Sequence, residues 1–363
     1  MQLFLSTTFY SSSTSDIEDV LPLLDVFNID GIELGSTHIY RSDLETIIRK
    51  MWKKRIVTHN FFPPTEDPNF VMNIASENDE IRNHSITHAK HCIEVASNIG
   101  AEIYTIHPGF MSMPDIKRKD NDNYDFNFGP ERLKKNLALD YMLDSLSILI
   151  DTAKDFKIKL AIETEGSLTE PGVLLMETIG EYDKLFARFP HGVYLNLNLA
   201  HTRFAAKEHK YDVKEFINRY YNRIALVELS HNNGTIDEHK PLVDGTYLFD
   251  YLSCLPDVPY VLEFRNATVK QIQHSIDLVR NKIMQIKYNS LEVLESYRIL
   301  AKIMKEECIK AGGSFQDIEK ADSFNAMNKT EYFYNAAHLN LIGERIYNKL
   351  LIDTIDKRGI FTK

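Results

Sequence analysis

The sequence predicts an α/β protein: a closed (β/α)8 barrel followed by a mainly helical C-terminal extension. The first observation behind this is a repeat of eight short β-rich runs separated by longer helix-like stretches, the pattern of a parallel sheet with helical crossovers. In order the runs are LFLST (3–7), GIELGS (31–36), RIVTHN (55–60), AEIYTIHPG (101–109), KLAIETEG (159–166), VYLNLNLAH (193–201), ALVELSHNN (225–233) and YVLEFRN (260–266). NHSITHAKHCIEVASNIG before the fourth run and ALDYMLDSLSILIDTAKDF before the fifth read as helices. Eight such units in residues 1–284 match the ~250 residues usual for this barrel. The second observation excludes an open doubly wound sheet. That fold wants a glycine-rich phosphate turn after its first strand, and STTFYSSSTSD has no glycine.

Beyond residue 284 the pattern changes. LEVLESYRILAKIMKEECIKAGG reads as a helix ending at a glycine pair, and LIGERIYNKLLIDTI as a last amphipathic helix. Residues 285–363 are therefore expected to form an extension surplus to the barrel.

Of the 363 residues, 44% are hydrophobic and 11% aromatic, as in globular proteins. The formal net charge of −10, from 42 basic and 52 acidic residues, argues against a nucleic-acid partner. Cys92, Cys254 and Cys308 are odd in number and scattered, so no disulfide framework is expected and a reducing compartment is. MQLFLSTTFY carries no basic residue and reads as a first strand, not a signal peptide. No run approaches the ~18 apolar residues of a membrane span. The expectation is a cytoplasmic protein with no membrane partner.

The predicted strands end in polar residues: Glu33, His59, His107, Glu163, Asn198, His201, Glu228 and Glu263. In a barrel all these ends open on one face, where active sites are built. From Glu163 to Asn198 is 35 residues, to Glu228 another 30 and to Glu263 another 35, each step one strand–helix unit.

THNFFPP, TIHPG, AIETEG, NLAHTRFAA, VELS with the following DEHKPLVDG, and VLEFRN together resemble the successive motifs of the xylose-isomerase-like TIM barrels. That superfamily holds sugar isomerases and epimerases, dehydratases and endonuclease IV. The resemblance spans roughly residues 1–280 and implies a metal site at the barrel mouth. Carried over, His59 and His107 stand for the histidines ending the third and fourth strands, and Glu163 for the glutamate after the fifth. Asn198 and His201 take the place of an Asp-x-x-His, Asp237 and His239 match an Asp-x-His, and Glu263 matches the last strand's glutamate. Two positions depart from the pattern. Asn198 replaces an aspartate and Glu228 replaces a histidine.

The implied inner set Glu163, Asn198, Glu228 and Glu263 is all oxygen, which suits Mn²⁺ or Mg²⁺, with Zn²⁺ the alternative if the histidines join. So many carboxylates in one confined site would repel without a cation. With Glu163 and Glu263 as acid–base pair, the expected activity is metal-dependent isomerisation or epimerisation of a small carbohydrate through an enediolate. Glu33, His201, His231 and Arg265 are candidate substrate contacts. Two rivals stand beside this: an endonuclease IV-like phosphodiesterase, and a non-catalytic barrel whose metal site has decayed.

Some features have plainer readings. YFYNAAHLNLIGERIYNKLL resembles the end of SGNH/GDSL hydrolases, but Asn335 stands where the triad aspartate belongs and no Gly-Asp-Ser block precedes it. A non-catalytic appendage, packing on the barrel or joining a homo-oligomer, is the expectation. His84, His88 and His91 share one helix face, read as solvated or half-packed. Trp52 and Phe61-Phe62-Pro63-Pro64 are candidates for an apolar wall near the rim, and 117–132 for a long polar loop over it.

Overall fold

Eight parallel strands close on themselves. A computed structural model describes residues 2–10, 15–67, 69–118, 124–129, 131–166 and 172–286. Contacts divide the chain into two units, Met1–Asn281 and Lys282–Lys363. The expected C-terminal extension, including its SGNH-like stretch, lies outside the described residues except for 285–286. Among the described residues no helix is long and apolar enough to cross a membrane.

In chain order the elements are β1 (Gln2–Ser6), α1 (Ile17–Leu24), β2 (Gly31–Leu34), α2 (Leu44–Met51), β3 (Arg55–His59), α3 (Asp79–Asn98), β4 (Ile103–Ile106), β5 (Pro114–Arg118), β6 (Tyr124–Phe128), α4 (Lys135–Asp155), β7 (Lys159–Glu163), α5 (Ile179–Arg188), β8 (Val193–Asn198), α6 (Leu199–His209), α7 (Val213–Tyr220), β9 (Ile224–Leu229) and β10 (Pro259–Leu262). A further helix begins at 269. The barrel runs β1–β2–β3–β4–β7–β8–β9–β10 and back to β1. Its strands are the eight read from the sequence. The polar loop after β4 contains something the sequence reading did not foresee, an antiparallel ladder between β5 and β6.

Short polar side chains start the helices. Asp16, Asn78, Asn198 and Asp212 each accept from the first-turn amides of α1, α3, α6 and α7. Thr178 and Glu181 form a reciprocal capping box on α5.

Strand side chains alternate between faces, so the barrel interior is set by every second residue. Phe4, Val57, Ile103, Ala161, Leu226 and Val261 form one buried apolar cluster, with Tyr194 packed against it. Phe4 fills space that β2 leaves open. A Cβ on Gly31 would stand 2.5 Å from the Phe4 ring and 2.7 Å from the Arg55 carbonyl oxygen, so no larger residue fits there. Two residues farther along the same strands stand Ser6, His59, Thr105, Glu163, Glu228 and Glu263, and Glu33 follows Gly31 in the same way. The apolar cluster is thus the floor, and the polar residues lie one step above it.

The loop after β2 is fastened by His38. Its Nδ1 lies 3.2 Å from the Ser15 carbonyl oxygen, which can only accept, so Nδ1 carries the proton. Nε2 then accepts from the Thr7 hydroxyl at 2.7 Å, and that oxygen accepts in turn from the Gly35 amide. The ring stands edge-on to Phe62, 5.8 Å between centroids. Phe62 and Trp52, read from the sequence as candidates for an apolar wall near the rim, are both buried. The face bearing His84, His88 and His91 is half-packed, as its spacing implied. His88 is buried, 4.9 Å from the Phe61 ring, while His84, 4.2 Å from the Phe70 ring, and His91 are both exposed.

Burial pushes the His38 pKa from 6.5 down to about 4, outweighing the Ser15 hydrogen bond and the Asp16 charge. The unfolded chain therefore binds this proton first as pH falls. The stabilisation from neutral His38 is complete above pH 6.5 and is lost as pH drops through about 4. In urea titrations the stability advantage of the wild type over His38→Gln should shrink across that window. An advantage that stays constant would show that His38 is not the titrating group.

Candidate functional site

Glu163 ends β7 and is 1% exposed. Four groups converge on it. His59 Nε2 lies 2.9 Å and His107 Nε2 3.5 Å from Oε2, while the Asn198 amide at 3.0 Å and His201 Nδ1 at 3.2 Å meet Oε1. These donors come from the ends of β3, β4 and β8 and the first turn of α6, gathered by parallel pairing of β3 with β4, β4 with β7 and β7 with β8. Burial alone would raise the Glu163 carboxyl, but His107, His201 and His59 hold it well below the usual carboxylate range.

Asn198 explains much of the arrangement. Its Oδ1 accepts from the backbone amides of Ala200 and His201, at 3.1 and 3.2 Å, and so caps α6. Backbone N–H groups only donate, so the oxygen must face them and the side-chain NH₂ must face the pocket. That NH₂ lies 3.0 Å from Glu163, 2.9 Å from Glu228 and 3.5 Å from Glu263. The oxygen that the sequence reading offered to a cation is therefore committed to the helix. Asn198 acts instead as a donor shared by three carboxyl groups.

Glu228 lies opposite Asn198 in the β8–β9 register. It accepts from Asn196 at 2.6 Å and from Asn198. Burial, with the charges of Glu163, Glu263 and Glu33 added, holds its carboxyl well above the ordinary range despite the Asn196 hydrogen bond. Burial also raises Glu33 to about 7, against the pull of His59 and with Glu263 and Glu163 adding to it. Neither Glu33 oxygen has a hydrogen-bond partner among the described residues. Glu263 goes the other way. Against the burial that would raise it, His239 at 3.1 Å and the charge of His59 bring it to about 2.

On the far side, Asp237 Oδ2 joins two imidazoles, His201 Nε2 at 3.0 Å and His239 Nε2 at 2.6 Å. Burial opposes ionisation of Asp237, but His239 and His201 hold it well below its ordinary pKa. His201 Nδ1 also lies 3.1 Å from the Thr164 carbonyl oxygen, which fixes Nδ1 as the donor and turns Nε2 toward Asp237. Close backbone contact makes this possible. A Cβ on Gly166 would stand 2.2 Å from the His201 carbonyl oxygen, so only glycine lets the end of β7 lie against α6.

Two His₂–carboxylate groups result, His59–His107–Glu163 and His201–Asp237–His239, and within each the ligand atoms lie within 4.8 Å of one another. Two imidazoles and a carboxylate are a donor set that fits a divalent cation. The all-oxygen set fits less well, because Asn198 turns nitrogen toward it and Glu228 favours a proton.

The remaining candidates, His231 and Arg265, have other partners. His231 hydrogen-bonds Thr246 at 3.1 Å, and its backbone pairs with Lys240. Arg265 has an exposed side chain, and its backbone N–H donates to the His239 carbonyl oxygen. The structure also adds residues. Glu165 meets His107 Nδ1 at 2.5 Å and lies 3.7 Å from His201. Ser36 is 3.2 Å from His59 Nδ1. Asn60, at φ 38°, accepts from the His107 amide at 3.2 Å through Oδ1 and from the Tyr104 hydroxyl at 2.8 Å through its carbonyl. Glu165 and Asn196 each stand one alternation step from a residue already singled out, and that step was the available signal.

Fold and site together define a TIM-barrel protein with a titratable, ligand-rich mouth. A model of the xylose isomerase-like TIM barrel family matches residues 26–282. The chain belongs to that family. Among sequence relatives, the uncharacterized protein MJ1614 of Methanocaldococcus jannaschii is 22% identical over 287 residues, covering 76% of this chain and 97% of that one. A D-tagatose 3-epimerase-like protein superposes with a TM-score of 0.63 at 18% identity, covering 80% of this chain and 99% of its own. The IolI protein with a bound zinc atom gives 0.54 at 16% identity, covering 79% and 98%. At these identities the likeness is one of fold.

Replacing Asn198 by Asp would keep the α6 cap but remove the donor and add a negative charge among three carboxyl groups. Without added metal, Asn198→Asp should lower unfolding stability by about 3 kcal/mol, the scale of breaking a buried charged network. Saturating Mn²⁺ should restore much of it. Unchanged stability in chelator would mean the amide is not what holds these groups together.

Proposed function

We propose that this chain is a divalent-metal-dependent sugar isomerase or epimerase that moves a proton at the carbon beside a substrate carbonyl. The observation that carries this reading is the convergence of Glu163, Glu228 and Glu263 on the single amide of Asn198. Carboxyl groups that share one nitrogen are close enough to touch one small polyhydroxylated molecule together.

The environments push these groups apart, which is how acid and base roles divide. Glu263 is ionised at neutral pH and is the proton acceptor. Its base strength is set by His239: an imidazolium at 3.1 Å holds the carboxylate at about 2, and a neutral ring frees it to rise. Glu163, its expected partner, has both oxygens engaged by His59, Asn198 and His201, so it anchors the histidines. Burial and the neighbouring carboxylates favour a proton on Glu228, which makes it the better placed proton donor. Glu33 faces the same interior from β2 and supplies an acceptor for substrate hydroxyls. A cation held by the His₂–carboxylate groups, Mn²⁺ or Zn²⁺ by their donor type, would polarise the substrate carbonyl. The sugar epimerase-like solved relative is consistent with this chemistry.

A second reading rests on the two His₂–carboxylate groups themselves. A pair of bound ions serves hydrolysis of a phosphodiester at least as well as proton transfer.

Incubation with ketohexoses in D₂O and Mn²⁺ should place deuterium beside the carbonyl, and EDTA should stop it. Glu263→Gln should slow that exchange by roughly 10²–10⁴-fold with unchanged circular dichroism. Turnover of bis(p-nitrophenyl) phosphate with no sugar exchange would replace this reading by the second.

A further inference from the structure

A third cluster lies outside the mouth groups. Glu177 sits in the loop just before α5, and Glu208 and His209 are the last two residues of α6. Each offers a ligand atom, and the three atoms lie within 4.8 Å of one another. We propose that Glu177, Glu208 and His209 form a separate site for a divalent transition-metal cation of the Zn²⁺ class.

The second observation behind this concerns unmatched atoms. Glu177 is 1% exposed, yet its Oε1 has no hydrogen-bond partner among the described residues. The same holds for Oε2 of Glu208 and Nε2 of His209. One buried, unmatched atom on each of three adjoining side chains is rare, because such groups cost about 1–3 kcal/mol apiece when left unpaired. A cation between them satisfies all three together.

The neighbours leave that role open. Glu181 does not supply it, because its carboxylate accepts from the amides of Met176, Glu177 and Thr178 and from the Thr178 hydroxyl. Lys135 Nζ stands 3.6 Å from Glu177 and from Glu181, beyond a good hydrogen bond to either. His209 Nε2 stands 3.7 Å from Glu177 Oε2. A tetrahedral ion with ligands at ~2.1 Å holds them about 3.4 Å apart, so small side-chain rotations complete the set. His209 also ends a helix, where the backbone dipole favours positive charge. One imidazole with two carboxylates selects Zn²⁺ or Mn²⁺ over Ca²⁺ or Mg²⁺.

The purified full chain, stripped with chelator and reloaded with Zn²⁺ alone, tests this by ions bound per chain and by calorimetric titration. Glu177→Gln and His209→Gln should each bind one ion fewer than the wild type, while His107→Ala keeps this ion. Both variants should retain the wild-type rate in any assay of the mouth. If the mouth binds no ion, the wild type should still hold the one that Glu177→Gln loses, which separates this site from the proposed activity. Equal ion counts in the wild type and both variants, each verified as folded by circular dichroism, would overturn the proposal.

Discussion

The packing of Phe4 against the bare backbone of Gly31 sets the level of everything above it. Because strand side chains repeat every second residue, an apolar floor at one step fixes a polar tier at the next. Val57, Ile103, Ala161, Leu226 and Val261 complete the floor, and His59, Thr105, Glu163, Glu228 and Glu263 follow from it. A slip of one residue in any strand would turn its functional group out of the barrel. The chemistry of the mouth thus inherits its geometry from hydrophobic packing beneath it.

Charge is the second constraint on the mouth. Carboxyl groups from β2, β7, β9 and β10 face one buried space, and their repulsion has to be relieved. Three means operate side by side. Imidazoles face Glu163 and Glu263, amides face Glu228, and burial favours a proton on Glu228 and Glu33. Asn198 belongs to all of this and to α6 as well, so the identity of one residue joins helix initiation to the electrostatics of the site.

The barrel was legible because its strands are short apolar runs at regular spacing, each bounded by turn residues. The pairing of β5 with β6 was not, since YDFNF alternates among residues that also read as a polar loop. The converging residues could be picked from strand ends, but their roles could not. Nothing in the letter for asparagine says which end of the amide meets the helix, and only the capped N–H groups of Ala200 and His201 decide it. His88 shows the same limit. Its helical spacing was plain, but the aromatic rings that bury it come from Phe61 and Phe70, well before it in the chain.

Asn60 gives the mouth a mechanical property. It follows His59 directly, pairs its own amide with the Thr105 carbonyl, and holds the His107 amide through its side chain. The backbone segments that carry the two imidazoles on this side are therefore tied together at one residue across adjacent strands. The gap between the rings is thus framed by backbone pairing, so an incoming molecule meets a spacing set before it arrives.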